Sequence, residues 1–302
     1  MNRFITTIFL TFACLTFINA QAMIPLSYVT TKKDSIDEVK MCVQYHLLFR
    51  EHLDSKQMSE DLQVLEIGNK IVKYSSNPMT FAYEHLPKEL LDAAKRDGDS
   101  LALARNMAEK EGSRYTSALG EILRNYSKPG TQNCYRVFEL EGSAHLKQGT
   151  KFYYEEEIPQ MEWNLEEGDT TICGYACQRA STTFRGRTWT VWYAPELPYM
   201  EGPWKLQGLP GMILKATDSE GDYCFTAIEI TQPKGKVIAK PSFEKLYLKV
   251  SPKRMEETIV LFYKNPEAYI KSSYGDFILK IMESVGSKME FRSHTPCLIE
   301  KF

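Results

Sequence analysis

The chain has 302 residues, 43% of them hydrophobic and 25% charged, with a net charge of −2 at neutral pH. That length buries a full core in one large domain or two ordinary ones. With no basic excess, the charge balance gives no electrostatic ground for a nucleic-acid or anionic-membrane partner, and it names no other partner.

The first residues read as a targeting segment. Arg3 supplies a positive start, Phe4 to Ile18 is apolar, and Ala20-Gln21-Ala22 fits the small-x-small cleavage rule. The expectation is a signal peptide over residues 1–22, cut after Ala22 with Ala20 as the alternative, and one mature domain over 23–302. The apolar run is short for a bilayer span, and no basic stop-transfer cluster follows it. Cys14 lies inside that run and Thr11-Phe12-Ala13 matches a lipoprotein signal poorly, so attachment to a membrane would be peripheral at most.

Export makes the compartment oxidising. Removing Cys14 leaves Cys42, Cys134, Cys173, Cys177, Cys224 and Cys297, an even set open either to disulfides or to buried free thiols. On an extended strand Cys173 and Cys177 would stand about 13 Å apart, beyond the roughly 7 Å between bridged Cα atoms. They are expected not to bond each other, with Cys224 the favoured partner if either is bridged.

Along the chain, Ile24 to Thr31 is a lead-in and Val39 to Phe49 alternates as a strand. Asp61 to Ile67 and Lys70 to Ser75 form a hairpin around Gly68-Asn69. Leu86 to Asn125 changes to helical spacing, with Pro87, Asp99 or Ser100 and Ser113 as starts, and predicts a helical insertion. Strands return at Cys134 to Glu139 and Thr150 to Glu155. Long strands Thr171 to Thr183 and Arg187 to Tyr193 turn at Phe184-Arg185-Gly186, and Met212 to Thr217 with Tyr223 to Ile230 makes another hairpin. Lys245 to Val250 is a further strand. Ser251-Pro252 caps a helix over Lys253 to Tyr263, Asn265-Pro266 ends it, and Tyr274 to Val285 is a short helix. The fold class is α+β, with a mostly antiparallel sheet, a helical insertion and C-terminal helices.

Catalytic patterns are missing. There is no nucleophile elbow, dinucleotide-binding glycine turn, phosphate loop or zinc-binding helix pattern, and nothing implies a cofactor. His46, His52, His85, His145 and His294 are dispersed. The Glu155-Glu156-Glu157 run reads as a solvated strand end. Arg185 and Arg187 flank a turn, where they either face water or bind a carboxylate or phosphate. Trp189 and Tyr193 share one strand face and Trp192 the other. They build a core or, with Tyr199 and Trp204, line an aromatic groove.

Two stretches resemble a known family. Trp192-Tyr193-Ala194-Pro195-Glu196-Leu197-Pro198 is followed by Gly202-Pro203-Trp204-Lys205-Leu206-Gln207-Gly208-Leu209-Pro210-Gly211-Met212-Ile213. Together with Ile172 to Ala180, they resemble the GLPGLI family of exported bacterial proteins, with Met212 in place of the family's leucine. The residues carrying the resemblance include Cys177, Arg187, Trp189, Trp192, Tyr193, Gly202, Pro203, Trp204, Gly208, Leu209, Pro210 and Gly211, in structural or binding roles. The resemblance implies export to the periplasm or cell envelope, a β-rich domain and no established enzymatic activity. The order of hairpins is also similar to the antiparallel half-barrels of bacterial lipoprotein carriers. Proline and glycine at positions 210 and 211 predict a type II turn over Leu209 to Met212.

The leading functional expectation is a non-catalytic envelope protein whose sheet binds an apolar ligand or an extended peptide. Its rivals are a module docking on an outer-membrane protein through Gly202 to Gly211, and a hydrolase using His145 or His294 with carboxylates.

Overall fold

A computed structural model describes residues 35–76, 89, 119–138, 150–241, 244–274 and 293–301. The expected signal peptide and lead-in, most of the expected helical insertion, His85, His145 and all but the first residue of the helix expected over Tyr274 to Val285 lie outside them.

The centre of the sheet is β2 (Met41–Phe49), after a short β1 (Ser35–Glu38). From β2 the strands β3 (Ser59–Ile67), β4 (Val72–Ser76), β5 (Glu121–Arg124), β6 (Thr131–Phe138) and β7 (Thr150–Glu157) meander one way. On the other flank lie β12 (Tyr223–Thr231), β11 (Met212–Asp218), β10 (Arg187–Ala194), β9 (Tyr175–Phe184) and the edge strand β8 (Asn164–Ile172). The strand β13 (Val237–Ala239) pairs with β1 in a separate ribbon, and the two-residue β14 (Leu248–Lys249) lies parallel to β7. The large sheet has twelve strands in the order β14-β7-β6-β5-β4-β3-β2-β12-β11-β10-β9-β8, and every other pairing in it is antiparallel.

The sheet does not close, yet it curls on itself. Strands β7 and β9 stand nine positions apart in that order, about 43 Å on a flat sheet at roughly 4.8 Å per strand. Even so, Arg185, just past β9, reaches Glu156 of β7 at 2.6 Å. The inner face carries the main core. Met41, Val43, Tyr45, Leu47 and Phe49 all point inward from β2, and Trp189, Val191 and Tyr193 from β10. Across the outer face Val39, Cys42, Val64, Leu123, Tyr135 and Ile238 make a second cluster beneath the β1–β13 ribbon.

The α+β expectation, dominated by an antiparallel sheet with C-terminal helices, holds. Helix α1 (Pro252–Lys264) starts as expected: Ser251 accepts a hydrogen bond from Arg254 N at 3.1 Å, and Pro252 sits in the first turn. A second helix, α2 (Pro266–Tyr274), follows at once because Asn265 caps it through Ala268 N, so Asn265-Pro266 is a joint between two helices.

Several expectations are corrected. Residues 121–124, read as helical, form β5; Ile122 faces the main core and Leu123 the outer cluster, and burial on both faces removes the alternation that marks a strand. A side chain at Gly120 would place its Cβ 1.8 Å from the Tyr135 carbonyl oxygen, so only glycine lets β5 enter beside β6. The long strand Thr171 to Thr183 is broken by Cys173-Gly174, both at positive φ (49° and 83°), a type I′ pattern. Of the strand expected over Lys245 to Val250 only Leu248–Lys249 forms, as β14; Lys245 and Leu246 belong to a 3-10 turn, Glu244–Leu246. None of the six described cysteines is in a disulfide: Cys173 and Cys177 are not bonded to each other, as expected, and neither is bridged to Cys224.

Candidate functional site: a cavity inside the curled sheet

The loop from Pro195 to Gly211 leaves β10 and folds into the hollow of the sheet. Leu197, Gly202, Pro203, Trp204, Lys205, Leu206 and Leu209 are all buried along it. Trp204 adopts φ 53°, costly for a side chain of that size. That conformation seats its indole between Phe184 and Trp189, at 5.5 and 5.7 Å. Its carbonyl accepts from Arg124 Nη2 at 2.5 Å, while Arg124 Nη1 reaches Glu201 at the same distance. The loop therefore clamps β5 on one side and packs on β10 on the other.

The expected type II turn at Leu209 to Met212 does not form. Gly211 has φ 157° rather than about +80°, and Met212 N donates to Leu197 O at 3.2 Å. Glycine is required there for proximity: a Cβ would lie 2.4 Å from the Ala194 carbonyl oxygen.

Between the inner face, this loop and α1 lies a cavity of about 120 Å³. Trp204 and Lys205 border it from the loop, Ile122, Cys134 and Tyr154 from the sheet, and Met255, Ile259 and Tyr263 from α1. Met255 and Ile259 fall on one helical face, four residues apart. A strap, Pro296 to Glu300, passes along the cavity. It is tied to the end of β2 by Cys297 N donating to Glu51 O, and to the β9–β10 turn by Lys301 N donating to Arg185 O, both at 2.9 Å.

Two buried ionic clusters fix this frame. Lys205 Nζ lies 2.6 Å from Glu156, 2.5 Å from Glu300 and 2.8 Å from the Tyr154 hydroxyl. Burial pulls the Lys205 ammonium down, but Cys134 and the carboxylates of Glu300 and Glu156 together outweigh it and hold the pKa above the usual lysine range. Burial pushes the Cys134 thiol up to about 11. In the second cluster Arg187 donates to Asp218, to Asp222 at 3.1 Å and to the Leu298 carbonyl at 2.7 Å. Burial also pushes Cys297 up to about 11. The oxygens of Asp218, Glu220 and Asp222 lie within 4.8 Å of one another, and the Arg187 guanidinium supplies the charge that gathers them.

Trp204 is the one expected site residue that borders the cavity. Trp189, Tyr193 and Cys177 are core residues and Arg187 is a buried tie; Gly202, Pro203, Gly208, Leu209 and Gly211 shape the loop, and Pro210 is exposed. Trp192 lies on the opposite face, half-buried beside Gly168. The aromatic groove expected from these residues is therefore mostly filled core. Arg185 and Arg187 both bind carboxylates of their own chain instead of facing water, and Glu156 is an internal partner rather than a solvated strand end. Lys205, Arg124, Glu300 and Met255 escaped the sequence reading because their partners are distant in sequence: Lys205 and Tyr154 are 51 residues apart. His294, considered for hydrolysis, pairs with Asp54 at 3.3 Å.

No family model and no curated protein matches the chain. Solved structures of PNGF-II in C2 and P21 space groups each align with 72% of this chain, at 12% identity and a TM-score of 0.43. The chain spans about a third of their length, 32% and 33% respectively.

Proposed function

We propose that this chain is an exported GLPGLI-family protein that holds a small apolar molecule, or one segment of a longer one, in the cavity between the sheet and α1. The carrying observation is the cavity itself: about 120 Å³, close to a size known to admit a benzene ring. Binding fits better than catalysis. Lys205 is held as an ammonium by two carboxylates, and the Cys134 and Cys297 thiols stay protonated near neutral pH, so neither a free amine nor a thiolate faces the space. Docking through Gly202 to Gly211 is disfavoured, because that loop is largely interior. Its burial gives the family motif a task in this reading: it builds the wall of the ligand site.

Titration with N-phenyl-1-naphthylamine, whose phenyl ring is the segment the cavity admits, tests this. The full chain should give saturable, blue-shifted fluorescence. Met255→Trp, which fills the cavity from α1, should weaken binding by about tenfold or more, equal to about 1.4 kcal/mol, without lowering the melting temperature. Equal binding by that variant, or none by the wild type, would refute the assignment.

A further inference from the structure

One corner of the cavity's cover is held by two histidines. His52, in the turn after β2, stacks on His294, next to the strap, with ring centroids 4.1 Å apart and planes 11° from parallel. The His52 ring also meets Tyr263 of α1 edge-on at 5.2 Å. Around this stack Leu53 N donates to Thr295 O, Cys297 N to Glu51 O and His294 N to Tyr263 O, each at 2.9 Å. The β2–β3 turn, the end of α1 and the strap are thus pinned together at one point.

The stack holds while its rings are not both charged. Two imidazolium rings face to face at this distance repel. His52 Nδ1 is buried without a hydrogen-bond partner, so a proton added there finds no acceptor. Asp54, on the same turn, lies 3.3 Å from His294 Nδ1. Glu51 accepts from the Tyr263 hydroxyl at 3.4 Å, and the Arg136 guanidinium of β6 acts on that phenol. From the end of α1, the Lys264 carbonyl takes the Ser293 hydroxyl at 2.5 Å. Burial is the largest influence on His52 and pulls its pKa below the usual imidazole value; His294 adds to this, while Glu51 and Asp54 oppose it. A folded-state pKa below the unfolded one leaves the contact intact above about pH 6.5 and loses it as pH falls through the lower folded value.

We infer that the His52–His294 stack is an acid-released latch: neutral, it holds the strap and α1 over the cavity, and doubly protonated, it frees that corner and lets the apolar ligand leave. This rests on the ligand-site reading above, so the test has a readout that needs no ligand. In the full chain, amide hydrogen exchange at Leu53 and Cys297, corrected for intrinsic rates, is compared at about pH 7.5 and about pH 5. Protection at both should fall about tenfold or more in acid, while Val43 in β2 stays protected. His52→Phe keeps a ring in the stack but takes no proton, and should show no such loss. Unchanged wild-type protection, equal loss in His52→Phe, or loss at Val43 as well would each overturn the latch. In parallel, the wild type should bind N-phenyl-1-naphthylamine about tenfold more weakly in acid and His52→Phe equally at both pH values. Acid-dependent exchange with no probe bound at either pH would leave the latch standing and defeat the ligand reading.

Discussion

Arg187→Met should destabilise the protein by about 3–5 kcal/mol, because it removes one side of a buried ion pair and leaves the other. Asp218 and Asp222 are both buried, and the guanidinium that serves them also donates twice to the Leu298 carbonyl. Arg50 remains 2.7 Å from Asp222, but Asp218 loses its cation. The effect depends on pH. Burial pushes Asp222 up, yet hydrogen bonds from Arg50, Cys297 and Arg187 outweigh it and bring the carboxyl down to about 2. A depressed carboxylate contributes stability that is present above its unfolded pKa near 4 and is lost as pH falls toward the folded value. The gap between wild type and Arg187→Met should therefore be full at pH 7 and narrow from about pH 4 down to about pH 2. Urea unfolding across that range measures it. A gap independent of pH would mean that packing, not charge, holds this cluster.

Trp204→Ala should cost about 3–5 kcal/mol, the usual loss for a large aromatic truncated in a core. Its indole is 2% exposed and packs on Phe184 and Trp189. It also borders the cavity, so the variant should change probe binding as well as stability. Trp192→Ala is the contrast: half-buried on the opposite face, it should cost about 1–2 kcal/mol and leave probe affinity unchanged. Denaturation midpoints and probe titrations on both variants decide the matter. Similar destabilisation by the two would contradict the division of faces.

The parts of the fold legible in sequence were those marked by local chemistry. The hairpin of β9 and β10 shows itself in Arg185-Gly186, both at positive φ (50° and 69°), and α1 in its Ser-Pro start. Strand β5 was not legible, because tertiary pairing on both sides overrides a helical spacing. The Cys173-Gly174 turn was hidden because cysteine is not a usual turn former. Of the site, Trp204 stood out by residue type. The cavity as a whole did not, because β2, β5, β6, β7, the Pro195 to Gly211 loop, α1 and the strap each contribute a wall, and no local pattern encodes their meeting.

Native mass spectrometry of the full chain, isolated without detergent, tests the central claim most directly. The account predicts a bound small apolar molecule on the wild type and its absence from Met255→Trp. Ligand-free wild-type protein, or the same adduct on both, would contradict it.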